Sequence, residues 1–152
     1  MHSMRTAISL VVASLLAACG GGEASSETRN VPFTTVAQSG NSGVTAGEGV
    51  VARNQAEFNT VWARFSSNLL PPPQAPAIDF GSQQVVGYFL GSRPNGCYSM
   101  SITRVTQSDD RLVVSYKEQV PAAGAICTMQ VVNPAHLVAV PLSPLHVEFR
   151  AE

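Results

Sequence analysis

The chain has 152 residues, 45% of them hydrophobic and 12% charged, with nine Lys and Arg set against ten Asp and Glu. That is enough for one domain with a modest core. Lys117 is the only lysine and the arginines are scattered, so no basic patch exists to neutralise phosphates, which excludes nucleic acid as a partner.

The N-terminus reads as an export signal. Arg5 supplies the positive charge, Ala7 to Leu16 is an apolar run broken only by Ser9 and Ser14, and small residues precede Cys19. The run is about ten residues, short of the ~20 that a spanning helix needs. Leu16-Ala17-Ala18-Cys19 resembles the lipobox of bacterial lipoproteins. The resemblance implies a signal peptide over 1–18, cleavage before Cys19, and acylation of Cys19 to give a palmitate-type membrane anchor. Two or three acyl chains hold a protein stably on a bilayer. Gly20 in place of Asp at the following position points to the outer membrane, with the protein facing the periplasm or the cell surface. Residues 19–30, rich in Gly, Ser and Glu, read as a flexible tether, and the folded domain is expected over 31–152. Without Arg5 the mature chain keeps eight basic and ten acidic side chains.

Pro32 to Gln38 is the first expected strand, and Ser39 to Gly47 a Gly/Ser/Asn loop. Gly49 to Arg53 is a second strand. Asn54 and Glu57 then form a variant of the capping box. Phe58, Val61, Trp62 and Phe65 follow at helical spacing, which predicts an amphipathic helix ending near Ser67 with Trp62 as a core anchor. Pro71, Pro72, Pro73 and Pro76 force Leu69 to Ala77 into an extended surface segment.

From Gln84 to Leu90 the chain is apolar on both alternating faces, as in a strand covered on both sides. Arg93-Pro94-Asn95-Gly96 is a turn. Tyr98, Met100 and Ile102 alternate with polar residues, Ser108 to Arg111 is a tight turn, and Leu112, Val114 and Tyr116 alternate again, which makes a hairpin. Pro121 to Gly124 is a loop. Cys127 to Val132, His136 to Pro141 and Leu145 to Arg150 are the last expected strands, with prolines at their edges. The sum is a mainly β domain on the α+β border. We expect an antiparallel sandwich or partly open barrel of about eight short strands with one amphipathic helix packed on it.

With Cys19 assigned to lipid, Cys97 and Cys127 remain. In an exported domain they most simply pair, closing a loop of about thirty residues worth ~3–4 kcal/mol. The alternative is two free buried thiols. His136 and His146 have no thiol or carboxylate at metal-ligand spacing, so no metal or cofactor is expected. The chain carries no nucleophile-elbow, zincin or phosphate-loop motif. Asp109 and Asp110 read as a solvated hairpin tip. Asp79 reads as an Asx-type acceptor for nearby backbone. The expectation is a chain that is not an enzyme.

Ile78-Asp79-Phe80, the Val85 to Gly91 strand, Arg93-Pro94-Asn95-Gly96-Cys97-Tyr98, Val120 to Gly124 and Asn133-Pro134 resemble the C-terminal domain of the protease complex subunit PrcB family, over 78–150. In that family a Gly usually precedes the Tyr; here Cys97 does, and Cys127 is a second departure. The resemblance implies a lipid-anchored, non-catalytic binding or stabilising module of an envelope protease. The Pro-rich segment and the turn carrying Arg93, Asn95 and Tyr98 are the candidate contact surfaces. Asn95-Gly96-Cys97-Tyr98 is also similar to part of a chagasin-type protease inhibitor loop, which gives the alternative of a β-domain that presents loops to a protease cleft.

Overall fold

The computed structural model describes residues 27–152. The signal peptide expected over 1–18 and the expected acylation site Cys19 lie outside the described residues. Eight strands and one helix follow in the order β1 (Arg29–Asn30), β2 (Thr34–Ser39), β3 (Glu48–Ala52), α1 (Gln55–Phe65), β4 (Gln83–Phe89), β5 (Ser99–Gln107), β6 (Arg111–Gln119), β7 (Ala135–Pro141) and β8 (His146–Ala151). They form two four-stranded sheets, β1-β5-β6-β8 and β2-β7-β4-β3. The architecture is therefore a sandwich, not a barrel.

Helix, sheet and sheet make three layers. Phe58, Val61 and Phe65 of α1 pack with Val85 and Phe89 of β4 and with Leu137 of β7. Val86 and Val138, on the other face of the same strands, pack with Ile102, Val105, Leu112 and Val114 of the second sheet. This explains why β4 and β7 are apolar at successive positions: each is covered on both sides. At the open side of the sandwich, Gly49 of β3 lies against Phe149 of β8, where any Cβ would fall inside the aromatic ring.

The helix starts as its sequence dictates. Asn54 Oδ1 accepts the Glu57 N–H at 2.9 Å. Glu57 reaches back one residue further than a capping box does and accepts the Arg53 N–H at 2.7 Å. Trp62 is half-buried against the helix-side core, stacked on Phe65 with centroids 5.4 Å apart. Its indole N–H donates to the Pro73 carbonyl at 2.9 Å, so the same side chain fastens the proline segment to the helix.

Three expectations are corrected. Arg29 and Asn30, within the stretch read as tether, pair with Gln107 and Thr106 as β1. Cys127 to Val132 is not a strand: only Val132 pairs, in an isolated bridge with Arg93. Finally, β8 runs parallel to β6. The short link after β7 crosses from one sheet to the other at the end of the sandwich where β6 also begins, so the two strands start together.

A β-bulge between Ile102 and Arg104 shifts the phase of β5. Met100 and Ile102 face inward before it and Val105 after it, which lengthens the strand beyond the simple alternation. β1 covers only the far end of β5. On the uncovered part, Met100 O accepts from Gln38 Nε2 at 2.8 Å, and Ile102 N–H donates to His136 Nδ1 at 2.9 Å. Side chains of one sheet thereby close an edge of the other.

His136 is buried, and its Nε2 lies 2.9 Å from the Thr35 hydroxyl. With Nδ1 accepting, the ring is neutral and Nε2 carries the hydrogen. Burial holds its pKa below the ordinary histidine value. The unfolded chain therefore binds the proton first as pH falls, and the stabilisation is complete above about pH 6.5 and lost below it. Urea unfolding should show stability declining as pH falls through and below about 6.5, above the range where carboxylates titrate. His136→Gln should flatten that slope; an unchanged slope would remove the role assigned to the ring.

Gln84 is fully buried beneath Val140 in the register, and neither of its side-chain polar atoms has a partner. Burying an amide without hydrogen bonds costs about 1–3 kcal/mol. Gln84→Met keeps the length of the side chain and removes that cost, so it should raise the urea midpoint. A lower midpoint would show that the amide is satisfied in solution.

Candidate interaction site at the disulfide-clamped end

The strand registers place three connections at one end of the sandwich. Ser99 pairs with Gln119, and Phe89 with both Ala135 and Glu48. The segments 40–47, 90–98 and 120–134 therefore emerge side by side. Cys97 and Cys127 are joined by a disulfide with Cα atoms 5.4 Å apart. Between these loops Arg93 N–H donates to Val132 O at 2.8 Å, Val132 N–H returns a bond to Arg93 O at 3.0 Å, and Gly96 N–H donates to Thr128 O at 3.0 Å. A Cβ at Gly96 would collide with the Thr128 hydroxyl, so glycine sets this close approach.

The three residues expected to form a contact surface have different roles. Arg93 is committed to Glu118, with Nε to Oε1 at 2.6 Å and Nη2 to Oε2 at 3.1 Å. The guanidinium holds the Glu118 carboxyl below its usual range. Asn95 turns its side chain back on its own loop, where Oδ1 accepts the Cys97 N–H at 3.0 Å. Tyr98 is half-buried beside the bridge. The turn is therefore a brace.

The exposed chemistry lies on the facing loop, which was read as a strand. Ile126 is 101% exposed and Met129 93%, flanked by exposed Val120 and Val131. A signal for this was present: Ile126, Met129, Val131 and Val132 do not keep a period of two, and Ala122-Ala123-Gly124-Ala125 and Asn133-Pro134 border them. The loop's base is fixed by Asn133, buried, with Nδ2 donating to Ser92 Oγ at 3.0 Å and its carbonyl accepting from Ser42 Oγ at 2.9 Å.

Nearby, Tyr88 and Tyr116 stack with centroids 3.9 Å apart. Burial first, and then the bond to Tyr88, push the Tyr116 phenol up to about 12. Asp79 accepts from Gly81 N–H at 3.0 Å and from the Ser82 hydroxyl at 2.7 Å, the Asx-type role its sequence implied. Asp110 lies in the hairpin tip, paired with Arg111. His146 is exposed on β8. Among the described residues, no three His, Cys, Asp or Glu side chains group so as to hold a metal, and no helix is long and apolar enough to cross a membrane.

These features define a β-sandwich scaffold that displays braced loops at one end. Residues 84–141 match the family model described as PrcB C-terminal, the family that the turn and strand motifs resemble. The match runs from β4 to β7 and includes the disulfide and both clamped loops. No curated protein and no solved structure matches the chain.

Proposed function

We propose that the protein is a lipid-anchored, non-catalytic accessory module that associates with and steadies a protease of the bacterial cell envelope. The match to the PrcB C-terminal domain carries this reading. The Leu16 to Cys19 sequence supplies the anchor, and the outer membrane is the membrane it addresses. The clamped end supports a binding role, because a rigid frame holding exposed apolar loops suits recognition.

The test is to cross-link the anchored protein in its own cells and label the captured material with activity-based protease probes. An active protease co-purified with the wild type is the expected result. Capture of a protease whose activity is blocked in the complex would instead favour the inhibitor reading. Capture of no protease would overturn both. For the anchor, Cys19→Ser should leave the protein soluble or uncleaved when membranes are pelleted. A variant that stayed with the membrane after losing its signal peptide would overturn acylation at Cys19.

A further inference from the structure

Exposed apolar surface is not spread evenly over this domain. Among the described residues seven large hydrophobic side chains are exposed: four on the 120–134 loop, Leu69 and Leu70 after α1, and Leu142. Val120, Ile126, Met129 and Val131 sit on the loop of the bridge. Leu69 and Leu70 follow α1, and the helix's C-terminal turn is tied to this same end: Ser67 Oγ donates to Ser42 O at 3.1 Å, and Asn68 Nδ2 to Asn41 Oδ1 at 3.1 Å. Asn41 in turn bridges to Asn133, the residue that closes the clamped loop. The turn after α1 is thus tied, through Asn41, to the base of the clamped loop.

The chain enters at the opposite end. Arg29 pairs with Gln107, at the far end of β5 from Ser99 and the bridge. β5 is nine residues long, which is about 26 Å at ~3.3 Å per residue. Residues 19–28 link Cys19 to β1, and ten residues reach at most about 34 Å. Folding back along the whole sandwich would take about 26 Å, roughly three quarters of that reach. The composition of the loop agrees: Val120 to Val132 holds no charged residue and no Trp, Tyr or Phe. Segments that settle into a bilayer surface use basic and aromatic residues to do so.

We propose that this apolar end is a protein-docking surface turned away from the bilayer, and that its occupant is an uncharged apolar face of the protease partner. The proposal rests on the accessory reading above and names its contact surface. Ile126 and Met129 form the centre of the contact, with Leu70 at its rim. Because the loop bears no charge, the association is insensitive to salt.

The experiment has two arms, both on the full-length anchored chain. In the first, p-benzoylphenylalanine is placed at Met129 and, separately, at Thr28, and irradiated in intact cells. The expected outcome is protein adducts from position 129 and phospholipid adducts from position 28. Phospholipid adducts from position 129 would overturn the orientation and make the loop a membrane contact. In the second, Ile126→Asp is combined with Met129→Asp. Both side chains are free of the core, so thermal unfolding should match the wild type, while the yield of probe-labelled protease should fall at least tenfold and the wild-type yield should hold from low to high salt. An unchanged yield with the double variant would overturn the docking surface and leave the accessory reading standing. Absence of protease from the wild-type capture would overturn the accessory reading and the proposal with it.

Discussion

Replacing Cys97 and Cys127 together by serine is expected to cost about 3–4 kcal/mol, because the bridge closes a loop of 30 residues and constrains the unfolded chain. Against a total stability of about 5–15 kcal/mol for a domain of this size, that is a large share. The damage should be local in the folded state. Without the bridge, the pairing of Arg93 with Val132 and of Gly96 with Thr128 is what still ties the two loops together, while both core clusters lie within the body of the sandwich. Urea unfolding with and without reductant measures the energetic loss. Hydrogen exchange should show faster exchange over 120–132, with β4 and β7 still protected. A loss below about 1 kcal/mol would show that the hydrogen bonds between the loops, and not the covalent bond, hold the clamp.

Phe58→Ala should be at least as severe. The ring is fully buried and meets Trp62 at 6.0 Å and Phe80 at 5.9 Å between centroids. It joins the helix to the outer face of the β2-β7-β4-β3 sheet within the cluster that includes Val85 and Leu137. Truncating a buried Phe costs about 3–5 kcal/mol, through lost burial and the cavity left behind. The helix depends on that contact, since eleven residues are too few to be stable alone in water. Circular dichroism and urea titration should therefore show helix and sheet lost together at a lower midpoint. A helix that melted alone, leaving the sandwich folded, would mean that the layer is an independent addition. Phe58→Leu should recover most of the loss, because it restores volume without the aromatic contacts.

The body of this fold was legible in the sequence because its strands bury residues in regular patterns. The alternation in β5 and β6 gave the hairpin, and the doubly apolar run at Val85 to Phe89 gave a strand with cover on both faces. The spacing of Phe58, Val61 and Phe65 gave the helix, and Asn54 its start. The parallel placement of β8 was not legible, since it depends on which end of the sandwich the chain crosses, and no local pattern encodes that. His136 was read as structural or solvated, not as a ligand. Its work depends on a backbone N–H more than thirty positions away, on the part of β5 that β1 leaves uncovered. At the candidate site the two cysteines pointed to a bridge, but the residues chosen around it were turn formers. Turn residues stand out in a sequence because backbone geometry demands them, and here Asn95 and Gly96 are spent on that geometry. Ile126 and Met129 were hidden by the opposite bias: in a β-rich chain an apolar stretch is read as a strand, whereas a loop can carry such residues outward when a covalent bond fixes its path.

The family match begins and ends on neighbouring strands. Within it, β4 pairs with β7 and β5 with β6, and these four strands are the inner members of the two sheets. Every flanking element adds only to the outside: β1, β2, β3 and β8 as edges and α1 as a lid. Because Gln84 and Val140 face each other across one ladder, the matched stretch leaves the domain where it entered. A segment with that geometry behaves as a cassette, with two adjacent ports to the rest of the chain. The clamped loops lie at the far end from both ports.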